Sequence, residues 1–204
     1  MNDALLLQHC SENWEGANLF KITTNRNIEY CLKHKMDFEL TMFGEAPNHG
    51  DWMKVKLIRE AMNKDYKYVI WLDADAVIVD AEHDLRNACT EGKIGACRHI
   101  LTKADYKIYL DHFNVGVLYV YNCEETRAFV DKWLAGYPGT TKPAWYEQGV
   151  FNDINDGMIQ EVDAKYNATG KVNPSPTPVV LGFHGQGATY RDRFLLMCDA
   201  IEKR

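Results

Sequence analysis

Residues 68–80 read Tyr68-Val-Ile-Trp-Leu72-Asp73-Ala74-Asp75-Ala76-Val-Ile-Val79-Asp80. A run of large, mostly apolar residues meets two carboxylates with a single alanine between them. An apolar stretch of this length without polar alternation predicts a strand covered on both faces, as in a parallel sheet. Such strands open their binding crevices at the carboxyl end. If the segment stays extended, a spacing of two puts Asp73 and Asp75 on the same side. Left unpaired beside a core, two like charges are costly. A divalent cation removes that cost, and hard carboxylate oxygens suit Mg²⁺ or Mn²⁺, completed by water and phosphate. Asp80 has the plainer expectation of a turn former.

Outward from this strand, the pattern alternates strands with helices and predicts an α/β fold. Strands are expected at 4–8, 37–43, 94–97, 113–121, 159–162 and 179–183. Helices are expected at 52–62, 82–90, 124–134, 146–154 and 190–204, with a short helical stretch after Asn25-Arg26-Asn27. Residues 106–112 read as a loop or a helix, and Pro174 to Pro178 as an extended surface connection. The length of 204 residues predicts one domain over 1–204, with no internal repeat.

A net charge of −6 without a basic stripe argues against nucleic acid as a partner. The amino terminus has no basic flank, and its apolar run is too short for a signal peptide. No stretch approaches the roughly 20 apolar residues of a membrane helix. Six cysteines without a Cys-x-x-Cys pair predict buried, reduced thiols in a cytoplasmic protein rather than zinc ligands or disulfides.

Four motifs follow one another along the chain. They are the apolar strand with Asp73-x-Asp75; Phe113-Asn114-Val115-Gly116 with Asn122 beyond it; Glu147-Gln148 with Asn152; and Gly182-Phe183-His184-Gly185-x-Gly187. A lone histidine is more often a surface or capping residue, the reading given to His9, His34, His49, His83 and His99. His184 differs, because it ends an apolar run and precedes two spaced glycines, and it is the candidate metal ligand. On the residues alone, Asn114 also fits a turn, Glu147 an exposed helix position, and His112 the acceptor side of a site.

In this order the motifs resemble nucleotide-sugar-dependent glycosyltransferases of the GT-A fold. The similarity is to the glycogenin and lipopolysaccharide galactosyltransferase type and the related yeast and plant galactosyl- and xylosyltransferases. It runs from about Gln8 to Gly187 and implies a single Rossmann-like domain with a mostly parallel central sheet flanked by helices. It also implies that Asp73, Asp75 and His184 hold Mn²⁺ or Mg²⁺, with Ala74 beside the donor. Glu147 and Gln148 would act beneath the transferred sugar, and Asn114 and Gly116 would let that sugar approach. Gln8 and Cys10 would lie near the nucleotide base; Lys54 or Lys56, two apart on one helix, would meet donor or diphosphate. Gly185 would flank the diphosphate, where Arg191 stands in for a lysine common in such enzymes. The implied donor is a nucleoside-diphosphate sugar, a UDP-sugar before a GDP-sugar, and the acceptor a glycan or protein hydroxyl, with retention of configuration.

Two other readings compete. Asp73-Ala74-Asp75-Ala76-Val77 also fits the start of a haloacid dehalogenase-like phosphatase with Asp73 as nucleophile. That reading leaves the Asn-x-Gly and His184-Gly185 segments unexplained. The third is a nucleotide-sugar-binding module without activity.

Overall fold

The computed structural model describes residues 2–11, 17–43, 51–103, 108–137, 146–170, 172–184 and 190–202. The chain runs β1 (Ala4–Ser11), α1 (Ala17–His34), β2 (Asp37–Phe43), α2 (Asp51–Ala61), β3 (Tyr68–Leu72) and β4 (Ala76–Ile78). It continues with β5 (Ile94–Lys103), β6 (Ile108–Tyr121), α3 (Glu124–Ala135), α4 (Tyr146–Asp153), β7 (Ile159–Glu161), β8 (Val180–Gly182) and α5 (Tyr190–Glu202).

Six strands form one sheet in the order β2-β1-β3-β6-β5-β7, and β4 pairs with β8 in a second, two-stranded sheet. Alternation on β1 and β3 sorts the core onto two faces. Leu5, Leu7, Val69 and Trp71 pack with α2, α3 and α4, around Val55, Ile58, Phe129, Trp133 and Phe151. Ala4, Leu6, Ile70 and Leu72 face the other way, against Tyr30 and Cys31 of α1 and against Leu85. Each large apolar side chain so buried contributes about 1.5–3 kcal/mol. A smaller cluster of Val77, Val79, Phe183 and Met197 seats α5 over the second sheet.

The sheet is more mixed than expected. β1 runs parallel to β2 and β3, and β5 to β7, but β6 is antiparallel to both β3 and β5. The physical reason is that β5 and β6 form one long hairpin, pairing Ile94↔Val120 through Lys103↔Ile108. That pairing also makes strand of residues 108–112, read from the sequence as loop or helix. Long-range pairing decided it; local pattern carried no sign of a partner.

The helix expected at 82–90 shrinks to a 3₁₀ turn at Leu85–Ala88. The Tyr30 hydroxyl accepts from the Leu85 N–H and donates to the His83 carbonyl, so groups that a helix would use are bound elsewhere. Conversely, α1 extends to 18 residues. Its inward face carries Thr23 and Asn27, both fully buried against Gln8, so a search for apolar periodicity underestimates it. The last strand is only Val180–Gly182 and leaves the central sheet to pair with β4.

Asp80 does close its segment, accepting from the Glu82 N–H at 2.9 Å. His99, expected at the surface, is instead buried at 3% exposure. None of the six cysteines is in a disulfide. Among the described residues no helix is long and apolar enough to cross a membrane.

Candidate active site

The carboxylate pair sits at the carboxyl end of β3, but not on an extended segment. Ala76 N–H donates to the Asp73 carbonyl at 2.9 Å, so Asp73–Ala76 is a tight turn between β3 and β4. The two carboxylates nevertheless converge. The turn is held from three sides: Asp73 N–H donates to the Gly116 carbonyl at 2.7 Å, the Gln8 amide donates to the Asp73 carbonyl at 3.3 Å, and Phe183 N–H donates to the Asp75 carbonyl at 2.9 Å. The last bond brings His184, the next residue, onto the pair.

His184 Nδ1 lies 2.9 Å from Asp75 Oδ1 and 3.9 Å from Asp73 Oδ2. One ligand atom from each of Asp73, Asp75 and His184 lies within 4.8 Å of the others. Asp73 remains partly open while Asp75 is buried. Two hard carboxylates and an imidazole, open on one side, are a donor set that fits Mg²⁺ or Mn²⁺.

Cations surround the carboxylates. Arg193 Nη1 is 2.7 Å from Asp75 Oδ2, and Lys54 Nζ is 3.0 Å from Asp73 Oδ1. Trp71 Nε1 adds a hydrogen bond to Asp73 at 2.7 Å. Burial pushes the Asp75 carboxyl up, but the His184 charge beside it, with Arg193 and Lys54, outweighs that and holds it below the usual carboxylate value. Burial likewise pushes the His184 imidazole down, and the Asp75 and Asp73 charges overcome this and raise it.

Lys54 also reaches Glu147 Oε1 at 3.2 Å. Both side chains are nearly buried, and Glu147 lies in the first turn of α4, directly after Tyr146, whose φ of +30° is a left-handed value rare for a bulky residue. Thus the Glu147 motif and the Asp73 motif share one ammonium. Lys56 points elsewhere, exposed and 3.9 Å from Glu60 on its own helix. Of the two lysines, only Lys54 is in the site.

Gln148 does different work from Glu147. Its Oε1 accepts from Val115 N–H at 3.1 Å and from the Asn114 amide at 3.3 Å. Asn152, one turn on, accepts from Phe113 N–H at 2.8 Å and donates to its carbonyl at 2.9 Å. β3 ends opposite Val117, so β6 residues 113–115 lie beyond its reach, and these amides take the place of a strand partner. The oxygen expected beneath the sugar thus meets the Val115 N–H and the Asn114 side-chain amide.

Three other residues expected near the donor have buried side chains. Gln8 is 1% exposed and accepts from Asn27 at 2.9 Å, and Cys10 is buried with Phe20 and Ala74. The side chains of Gln8, Cys10 and Ala74 are thus buried at or beside the turn. Gly116 serves the imidazole: a Cβ there would stand 2.2 Å from His184 Cε1. Asn114 orients Gly116, accepting its N–H at 2.9 Å. Gly185 and the Arg191 side chain lie outside the described residues.

Arg193 was not singled out from the sequence. Its signal was the i, i+4 spacing to Met197, which is fully buried and so turns that face of α5 inward. Asn167, which donates to Asn114 Oδ1 at 2.9 Å, carried no comparable signal.

A mixed sheet with helices on both faces and a carboxylate pair at the end of a central strand is the architecture of GT-A glycosyltransferases. Solved structures with this fold that are similar to the chain include a glycosyltransferase involved in the glycosylation of the major capsid of PBCV-1. It has 16% identity and a TM-score of 0.70, covering 96% of this chain and 98% of that one. The galactosyltransferase LgtC, in complex with donor and acceptor sugar analogs, has 12% identity and a TM-score of 0.63, covering 96% and 95%.

Residues 5–160 match the galactosyl transferase GMA12/MNN10 family, and the chain belongs to that family. Galactomannan galactosyltransferase 1 of Cyamopsis tetragonoloba is 26% identical over 165 residues, 72% of this chain and 35% of that protein. Probable glycosyltransferase 6 of Oryza sativa subsp. japonica is 24% identical over 158 residues, 73% of this chain and 32% of that protein. The chain spans about a third of the length of the curated relatives it matches.

Proposed function

We propose that residues 1–204 act as one metal-dependent glycosyltransferase domain. It moves a hexose or pentose from a nucleoside-diphosphate sugar, a UDP-sugar in preference to a GDP-sugar, to a hydroxyl of a glycan or protein. The observation that carries this reading is the convergence of Asp73, Asp75 and His184 to within 4.8 Å, with Glu147 tied to the same site through Lys54. Family membership supports transfer over the phosphatase alternative, in which Asp73 would be a nucleophile.

Mn²⁺ or Mg²⁺ held by Asp73, Asp75 and His184 would neutralise diphosphate oxygens as a Lewis acid and template. Arg193 and Lys54 bring further positive charge to the side on which negative charge grows as the sugar–phosphate bond breaks. Glu147 supplies the opposite sign for the positive character that develops on the sugar ring. Its ion pair with Lys54 suits it to stabilising charge rather than accepting a proton, which supports retention. Six free thiols support a reducing, cytoplasmic setting within the same reading.

The test is release of UDP or GDP from a panel of nucleotide sugars with and without Mn²⁺, with Asp75→Ala alongside. Mn²⁺-dependent release lost in that variant supports the reading, and the anomeric configuration of the product decides retention. Binding without release would instead favour the inactive binding module, and near-wild-type turnover in Asp75→Ala would remove the metal site from the chemistry.

A further inference from the structure

Two buried polar atoms lack hydrogen-bond partners on the side of His184 that faces away from Asp75: His184 Nε2 and Asn167 Oδ1. They border the same gap. A Cβ on Gly182 would lie 2.5 Å from Asn167 Oδ1 and 2.6 Å from His184 Nε2. Gly116 confines the ring on its other side, since a Cβ there would meet Cε1 at 2.2 Å and Nε2 at 2.4 Å. The imidazole is thus enclosed by two glycines, and the atom it presents to that enclosure is Nε2.

The orientation of Asn167 follows from a chain of donors. Gly116 N–H donates to Asn114 at 2.9 Å, so the atom it meets is the Asn114 oxygen. Asn167 approaches that same oxygen at 2.9 Å, so its nitrogen faces Asn114 and its own oxygen faces the Gly182 gap. Its backbone is fixed as well, because the Asn167 carbonyl accepts from Thr169 Oγ1 at 3.3 Å and Asn173 Nδ2 at 3.2 Å. An acceptor oxygen without a donor and a ring nitrogen without a partner therefore face the same gap beside Gly182. A metal-binding imidazole keeps its proton on the nitrogen away from the ion, and an acceptor there fixes tautomer and ring orientation.

We propose that Asn167 is the positioning residue for His184: its Oδ1 takes the Nε2–H, so that Nδ1 presents its lone pair to the space shared with Asp73 and Asp75. This rests on the metal-binding reading of that trio. Asn167 touches neither donor nor ion; it acts through the imidazole. The Asn114–Gly116 motif gains a second purpose, since it sets which way Asn167 points.

Two measurements on the whole chain test it without turnover. The first is long-range ¹H–¹⁵N NMR of the wild-type protein loaded with diamagnetic Mg²⁺ or Cd²⁺. Protonated Nε2 with Nδ1 as the ligand is expected, and the reverse pattern overturns the proposal while leaving the metal site standing. The second is the Kd for Mn²⁺, read from the electron paramagnetic resonance of the free ion, in wild type, Asn167→Leu, His184→Ala and the double variant. Asn167→Leu should weaken Mn²⁺ about 10–100-fold, with no further loss when His184 is already Ala. A merely structural role would lower the melting temperature in EDTA yet leave that Kd unchanged, and this outcome overturns the proposal. A wild-type protein that binds no Mn²⁺ overturns the metal reading and the proposal with it.

Discussion

Lys54 and Glu147, 93 residues apart in sequence, meet at 3.2 Å with both side chains almost wholly out of water. The same ammonium lies 3.0 Å from Asp73, so one cation on α2 joins the turn after β3 to the start of α4. A buried charge of this kind is tolerable only while its partners are present.

Replacing Lys54 by Met should therefore destabilise the fold by about 3–5 kcal/mol, because the buried Glu147 carboxylate loses that ammonium. Adding Glu147→Gln should recover much of that loss. Chemical denaturation of the two variants measures both effects, and additive losses would contradict the pairing.

Gly116→Ala should loosen metal binding without touching a ligand. Its Cβ would stand 2.2 Å from His184 Cε1, so the ring must shift from the position in which Nδ1 meets Asp75 at 2.9 Å. Overpacking of this sort costs about 1–3 kcal/mol. The expected result is a weaker Mn²⁺ Kd with the overall circular dichroism retained.

Mn²⁺ binding should strengthen as pH rises. Burial lowers the His184 value, the Asp75 and Asp73 charges raise it further than burial lowers it, and a proton on the ring competes with the ion. Below that raised value each pH unit should weaken binding about tenfold. For stability of the metal-free protein the sign is opposite. A raised histidine contributes fully below its unfolded value and loses that contribution as pH climbs through the folded one. The Asp75 contribution, whose value is lowered, is lost only as pH falls through its folded value. Mn²⁺ titrations and melting curves across pH in EDTA should therefore slope in opposite directions between the ordinary histidine value of about 6.5 and the raised value of His184.

Acid sensitivity should come from the β5–β6 hairpin. Burial pushes His99 down to about 3 and His112 down to about 4. Both stay neutral in the folded chain while the unfolded chain takes up protons near pH 6.5, so stability falls as pH drops from there toward those folded values. For His99 alone the slope is about 1.4 kcal/mol per pH unit. His99→Gln should flatten the loss between pH 6.5 and 4.5 in denaturant titrations; an unchanged slope would point to other groups.

How much of this was legible depends on whether the cause was local. Tyr68 to Leu72 announced β3 because burial on both faces requires an unbroken apolar run, and Asp73, Asp75 and His184 announced themselves by chemistry at strand ends. The Leu85 turn, the strand at 108–112 and the full length of α1 were hidden, because long-range bonds set them: Tyr30 to His83 and Leu85, β5 to β6, and Gln8 to Thr23 and Asn27. At the site, residue type indicated chemistry but not direction. Gln148 turned to the backbone of β6, Gln8 to the Asp73 turn, and Gly116 to the imidazole.

By itself the amino-acid order determined an α/β architecture, a carboxylate pair at a strand end and a histidine suited to join it, because periodicity and donor chemistry are properties of residues in sequence. Only the folded chain decided that Lys54 rather than Lys56 enters the site, that Arg193 reaches Asp75, and that Asn167 faces the far edge of His184. Those are matters of distance and orientation across elements, and they follow from which surfaces pack together, which no local pattern encodes.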